Sequence, residues 1–156
     1  MRKIFALSAA ISSFFLSQAT VRTVSNNPNS PGQYTNLQTA VTASSSGDTV
    51  YVHGSSSVYG SITVNKRLTI IGTGHNPNKS NPLVSEVGNI QLDSVTAVSG
   101  ASGSRIIGLK VNGVLGYSGA GGSKNILLKR NYFDFSGTQV LITGSGWLLE
   151  NNIINL

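Results

Sequence analysis

One short pattern occurs three times between Ser104 and Leu156, and it restricts the folds open to this chain more than any other feature. The copies read RIIGLKVNGV, NILLKRNYF and GWLLENNII. Aligned on their asparagines, they give five columns. These are Ile107, Ile126 and Trp147; Leu109, Leu128 and Leu149; Lys110, Lys129 and Glu150; Asn112, Asn131 and Asn152; and Val114, Phe133 and Ile154. Successive copies lie 19 and 21 residues apart. A unit of this length, with one short strand per copy, cannot bury its own apolar face. It becomes stable only when copies stack, so the pattern predicts a solenoid.

The upstream sequence extends the pattern. Apolar residues two apart recur as Val50 and Val52, Leu68 and Ile70, and Ile90 and Leu92, the alternation of strands with one buried face. The first inward position then falls at 50, 68, 90, 107, 126 and 147, with steps of 18, 22, 17, 19 and 21. Steps this uneven argue against a leucine-rich repeat, whose L-x-x-L-x-L pattern is also missing. They predict a parallel β-helix of about six coils, in which turns vary while strands keep register. The polar loop within Gly72–Asn89 and the glycine-rich Gly116–Gly122 are the expected excursions from its wall. Asn112, Asn131 and Asn152 are expected at the strand turns, passing side-chain hydrogen bonds from coil to coil.

Ahead of the strands, Met1–Ala19 reads as a cleavable signal peptide. Arg2 and Lys3 precede an apolar run over Ile4–Leu16, and Ser17-Gln18-Ala19 supplies small residues for a cut before Thr20. A membrane anchor is the alternative, but thirteen residues diluted by three serines fall short of the ~20 needed to span a bilayer. Residues 20–33 form a turn-rich lead-in, and residues 34–156 form the β-helix domain. Within that domain, 35–44 carries Leu37, Ala40 and Val41 at helical spacing, capped at its start by Thr35 or Asn36.

Composition narrows the function classes. Without cysteine there is no disulfide framework and no thiolate metal site. Only 10% of residues are charged, against roughly 25% in ordinary soluble domains. Beyond the leader, nine basic and five acidic residues leave +4, with no basic run longer than two. That is a thinly basic surface without a nucleic-acid motif.

The order of helix, GDTVYVHG, ITVNKRLTIIGTG and L-x-x-N-x-hydrophobic repeats resembles the secreted bacterial right-handed parallel β-helix proteins of the pectin-lyase-like superfamily. The resemblance covers roughly Tyr34 to the end. It implies that the short helix caps one end of the solenoid, and that polysaccharide lies along the outer face of one sheet. The outward positions carried over as substrate-binding candidates are His53, Gln91, Asp93, Lys110, Lys129 and Glu150. Asp93 is expected beside Lys110, and Lys129 beside Glu150.

The residues themselves point away from catalysis within this stretch. Calcium takes six to eight oxygens, usually from several carboxylates, and no such cluster stands on the outward positions. Glycosidases need two carboxylates about 5–9.5 Å apart, whereas Asp93 and Glu150 fall about three coils, or roughly 14 Å, apart. His53 and His75 have no metal spacing, so neither metal nor cofactor is expected. The expected function is a secreted or cell-surface β-helix protein that contacts polysaccharide without transforming it. The rival is the N-terminal part of a polysaccharide lyase or glycoside hydrolase whose catalytic residues lie beyond residue 156. The last coil carries no capping helix, charged strand or proline. That leads us to expect further coils or a C-terminal sorting domain in a longer protein.

Overall fold

A computed structural model describes residues 18–74, 83–93, 100–116, 122–134 and 140–155. The leader up to Ser17, the loop with His75, Asn76-Pro77 and Asn81-Pro82, and most of the Gly116–Gly122 turn lie outside these. In chain order the elements are β1 (Val21–Val24), α1 (Leu37–Ala43), β2 (Thr49–Val52), β3 (Ile62–Val64), β4 (Thr69–Ile71) and β5 (Glu86–Leu92). They continue with β6 (Arg105–Ile107), β7 (Lys110–Gly116), β8 (Leu127–Lys129), β9 (Tyr132–Asp134), β10 (Val140–Leu141), β11 (Leu148–Glu150) and β12 (Ile153–Asn155).

All the named strands pair in parallel and build two sheets, ordered β1-β2-β4-β6-β8-β11 and β12-β9-β7-β5-β3, with β10 beside β7. From β2 onward the chain passes back and forth between them, so each of these turns contributes to both walls, while the turn of β1 carries α1 in place of a strand in the second sheet. The result is an all-β parallel β-solenoid of about five turns with one short helix, close to the six coils expected.

The inward columns differ in detail from the sequence expectation. In the first sheet Val50, Ile70, Ile106, Leu128 and Leu149 are aligned. In the second, Ile62, Ile90 and Val114 form one column, and Val87, Val111, Phe133 and Ile154 form another. Ile90 and Leu92 therefore belong to the second wall, not to the column of Val50. Leu68 precedes β4, Ile126 precedes β8 and Trp147 precedes β11, so these three share a position two residues before Val50's column. Ile107 is an outward residue between Ile71 and Lys129. Alternation gives the same period in either wall, so it cannot say which wall a strand joins.

The corner between the walls explains the misplaced first copy. In three successive coils it opens with a residue in the left-handed region, Gly108 (φ 65°), Arg130 (φ 54°) and Asn151 (φ 52°). Leu109, Asn131 and Asn152 follow at the same place. The second and third copies are in register as aligned, but the first is displaced by three residues, and Asn112 lies within β7. Gly108 is needed here: a Cβ would come within 3.1 Å of the Gly74 backbone.

Asn131 and Asn152 make the inter-coil bonds expected of them. Asn131 Oδ1 accepts the Leu109 N–H (3.0 Å), and its Nδ2 donates to the Ile106 carbonyl (2.9 Å). Asn152 repeats the motif one coil on, accepting the Asn131 N–H (2.9 Å) and donating to the Leu128 carbonyl (2.9 Å). In the coil before, Leu109 fills the equivalent place and is fully buried.

The N-terminal end is closed by side chains as well as by strands. Asn36 caps α1, and Leu37, Ala40 and Val41 face the core. Lys66 donates to the Thr42 and Ser44 carbonyls at the helix's other end (3.0 and 2.9 Å), where cations are favoured. Gln38 lies along the free edge of β3. Its Oε1 accepts the Thr63 N–H (2.7 Å) and its Nε2 donates to the Thr63 carbonyl (3.2 Å), as a neighbouring strand would. The strand β1 falls inside the stretch read as lead-in. Its own outer edge is covered by Gln33 and Tyr34, which bond to Thr23 and Ser25. At the other end the inward residues Leu149 and Ile154 are 41% and 51% exposed.

Candidate functional site

The six candidate residues divide between the two walls. His53 directly follows β2, and Lys129 and Glu150 lie on β8 and β11, all at the first sheet. Gln91 and Lys110 are on β5 and β7 of the second sheet, and Asp93 follows β5. The single groove expected from the sequence is therefore two separate faces.

Lys129 and Glu150 are aligned and paired at 2.7 Å, as expected. Lys110 instead meets Glu86 (3.1 Å) and Asp134 (3.8 Å), the acids on the strands to either side of it. Asp93 makes no ion pair among the described residues. Pairs as open to water as these contribute at most about 1 kcal/mol, so they organise the surface more than they stabilise the fold. The ring of His53 meets that of Tyr51 edge-on, with centroids 5.3 Å apart.

Gln91 belongs to the better-formed feature. It lines a recess of about 230 Å³ on the outer face of the second sheet, with Ser61, Ile62, Thr63, Asn89 and Leu115. Thr63, Gln91 and Leu115 are aligned across three coils. Gly113 stands opposite Asn89 without a side chain to fill the space. The Ser61 hydroxyl accepts the Asn89 N–H (3.0 Å). The Asn89 Oδ1 is buried and has no hydrogen-bond partner. Hydroxyls, amides and an unpartnered acceptor, with no charge among them, suit a neutral ligand rich in hydroxyl groups. Sequence reasoning found Gln91 but not Asn89, Ser61 or Thr63. Asn89 directly precedes Ile90 and alternates with it as Gln91 does, so its polarity on the outward side was the available signal.

A second polar site is structural. Asp48 is buried where the first sheet begins, and accepts the Thr20 N–H (2.9 Å) and the Ser45 N–H (2.8 Å). Arg22 Nε lies 3.6 Å from its Oδ2. The bond from Thr20, then the bond from Ser45 and the charge of Arg22, hold the carboxyl below its ordinary pKa, against the opposing pull of burial. A depressed folded-state pKa stabilises above the unfolded value of about 3.9 and is lost as pH falls through the folded value. Asp48→Asn is therefore expected to cost about 1–3 kcal/mol at pH 7. The gap to the parent should narrow as pH falls from about 4 towards 2. Urea midpoints across that range measure it, and a gap independent of pH would assign Asp48 no ionised role.

Among the described residues no group of three or more His, Asp or Glu is placed to hold a metal ion. No helix among them is long and apolar enough to cross a membrane. The class defined by fold and surface is thus a parallel β-solenoid with a neutral polar recess on one wall. No family model, curated protein or solved structure matches the chain.

Proposed function

We propose that this chain is an exported parallel β-solenoid of the pectin-lyase-like kind that contacts polysaccharide without transforming it. The observation that carries the reading is the recess around Asn89 and Gln91. It offers uncharged hydrogen-bonding groups, the Gln91 amide and the Ser61 and Thr63 hydroxyls, on the outer side of the sheet, beside the buried and unpartnered Asn89 Oδ1. The Gln91 amide both donates and accepts towards a sugar hydroxyl, and a small turn of the Asn89 side chain would bring its unpartnered oxygen to the same ligand. Export is supported by the leader pattern and by the exposure of Gln18, Ala19 and Thr20 just before β1.

The test is depletion of the purified chain from solution by a panel of neutral insoluble polysaccharides. At least one is expected to bind, and an Asn89→Ala, Gln91→Ala double variant should bind it about tenfold more weakly, since each neutral hydrogen bond is worth about 0.5–1.5 kcal/mol. Unchanged melting of the double variant would show that its fold is intact. No depletion by any of the panel, or equal depletion of parent and variant, would reject the reading.

A further inference from the structure

The first sheet carries a different kind of surface at its opposite corner. There Gly47, Arg67 and Gly103 occupy one position in three successive coils, joined to their neighbours by the bonds Gly47 N–H to Arg67 carbonyl and Gly103 N–H to Lys124 carbonyl (2.7 and 2.8 Å). Arg67 is thus flanked by two residues without side chains. A Cβ on Gly103 would lie 3.1 Å from Arg67 Cδ, and one on Gly47 would lie 3.8 Å from its Nη2. The stem therefore rests on one coil while the guanidinium reaches the other. Both glycines adopt positive φ, 97° and 77°, so a side chain there would be strained as well as obstructive.

Beside Arg67, the outward column of the first sheet holds Thr69 and Arg105, aligned with each other. Arg67, Arg105, Gly47, Gly103, Leu68 and Thr69 enclose an open recess of about 210 Å³. Among the described residues neither arginine forms an ion pair. The acids are engaged elsewhere: Asp48 with Arg22, Glu86 and Asp134 with Lys110, and Glu150 with Lys129. Asp93 aligns with Asn65 at the end of the second sheet, where its N–H bonds the Val64 carbonyl (2.8 Å). Lys124, next along the same corner, makes no ion pair either. Three cations are gathered where no carboxylate answers them, and two of them line one recess.

We infer that the recess between Arg67 and Arg105 binds a tetrahedral oxyanion, a phosphate or a sulfate, free or carried as an ester. Guanidinium forks match such oxygens in pairs, and the two positive charges balance a dianion, where a single carboxylate ligand would leave one of them unmatched. The inference does not rest on the neutral-sugar reading, whose recess is on the other wall.

The test is titration of the purified full chain with inorganic phosphate, sulfate and acetate at low ionic strength, followed by calorimetry and by the amide signals of Gly47 and Gly103. Phosphate and sulfate should saturate and bind more tightly than acetate, with affinity falling as sodium chloride is added. Arg105→Gln, on the exposed face, should weaken binding about tenfold, as loss of a charge-assisted bond implies. Arg67→Gln should do the same, while Arg130→Gln, at the other corner, should change nothing. Dextran sulfate compared with plain dextran separates the sources. Binding of the polymer that depends on Arg105 would mean an ester is recognised, and saturation by free ions alone would mean the free ion. Absence of saturation by both phosphate and sulfate, or equal losses in Arg130→Gln and Arg105→Gln, would overturn the inference. Asn89→Ala, Gln91→Ala should leave the ion titration unaltered, so failure of either site is read separately.

Discussion

Replacing Leu128 by aspartate is expected to lower the melting temperature by about 10 °C or more. Leu128 is fully buried and stands between Ile106 and Leu149 in the inward column of the first sheet. Among the described residues no cation is buried in the core to meet a carboxylate there, and the penalty is several kcal/mol whether it stays charged or takes up a proton. In a domain of this size each kcal/mol moves the midpoint by roughly 3 °C. The control is Leu149→Asp, one coil along the same column. Leu149 is 41% exposed, so the same change of chemistry should cost far less. A Leu128→Asp chain that melts with the parent would mean that the column is misdrawn.

Asn131→Ala is the second large effect, and it tests hydrogen bonding rather than volume. The substitution would leave the buried Leu109 N–H and the Ile106 carbonyl without their partner, and would remove one of the donors to Asn152 Oδ1. Each group stranded in this way costs about 1–3 kcal/mol, so a loss of about 2–4 kcal/mol is expected. Asn131→Leu separates the causes. The coil before carries Leu109 at the equivalent position, so a leucine suits the place by shape yet supplies neither bond. If the bonds matter, Leu should cost about as much as Ala in urea midpoints, and the Leu109 amide should exchange faster in both variants. A stable Asn131→Leu chain with a protected Leu109 amide would show that packing, not the asparagine, holds the corner.

These two positions also mark how far the architecture could be read in advance. Leu128 and Asn131 both sit in the copy NILLKRNYF, which shares its spacing with GWLLENNII and is in true register with it. The first copy, RIIGLKVNGV, was misaligned because Ile106 and Ile107 are adjacent and equally apolar. Alternation alone cannot choose the inward one, and the left-handed turn at Gly108, which decides it, is a backbone property. The second wall stayed hidden for a related reason. Ile90 and Leu92 alternate just as Val50 and Val52 do, so period two merges strands that belong to different sheets. The strand β1 was missed because VRTV is short and leads into NNPNSPG, whose turn signals dominated. The surface was less legible still. Lys129 beside Glu150 followed from sound register, whereas Lys110 was matched to Asp93 across walls and in fact lies between Glu86 and Asp134. Asn89, Arg67 and Arg105 become conspicuous only when coils stack and place glycines around them.

The amide of Gln38 on the rim of β3 gives the solenoid a polarity. With Thr63 already answered on both its donor and its acceptor, and Thr23 of β1 and the adjoining Ser25 engaged by Gln33 and Tyr34, an incoming chain would find these backbone groups already taken. Head-to-tail polymerisation needs two receptive rims. At the rim formed by β1 and β3 these groups are already taken by side chains and by the preceding loop, so addition of a further strand is disfavoured there.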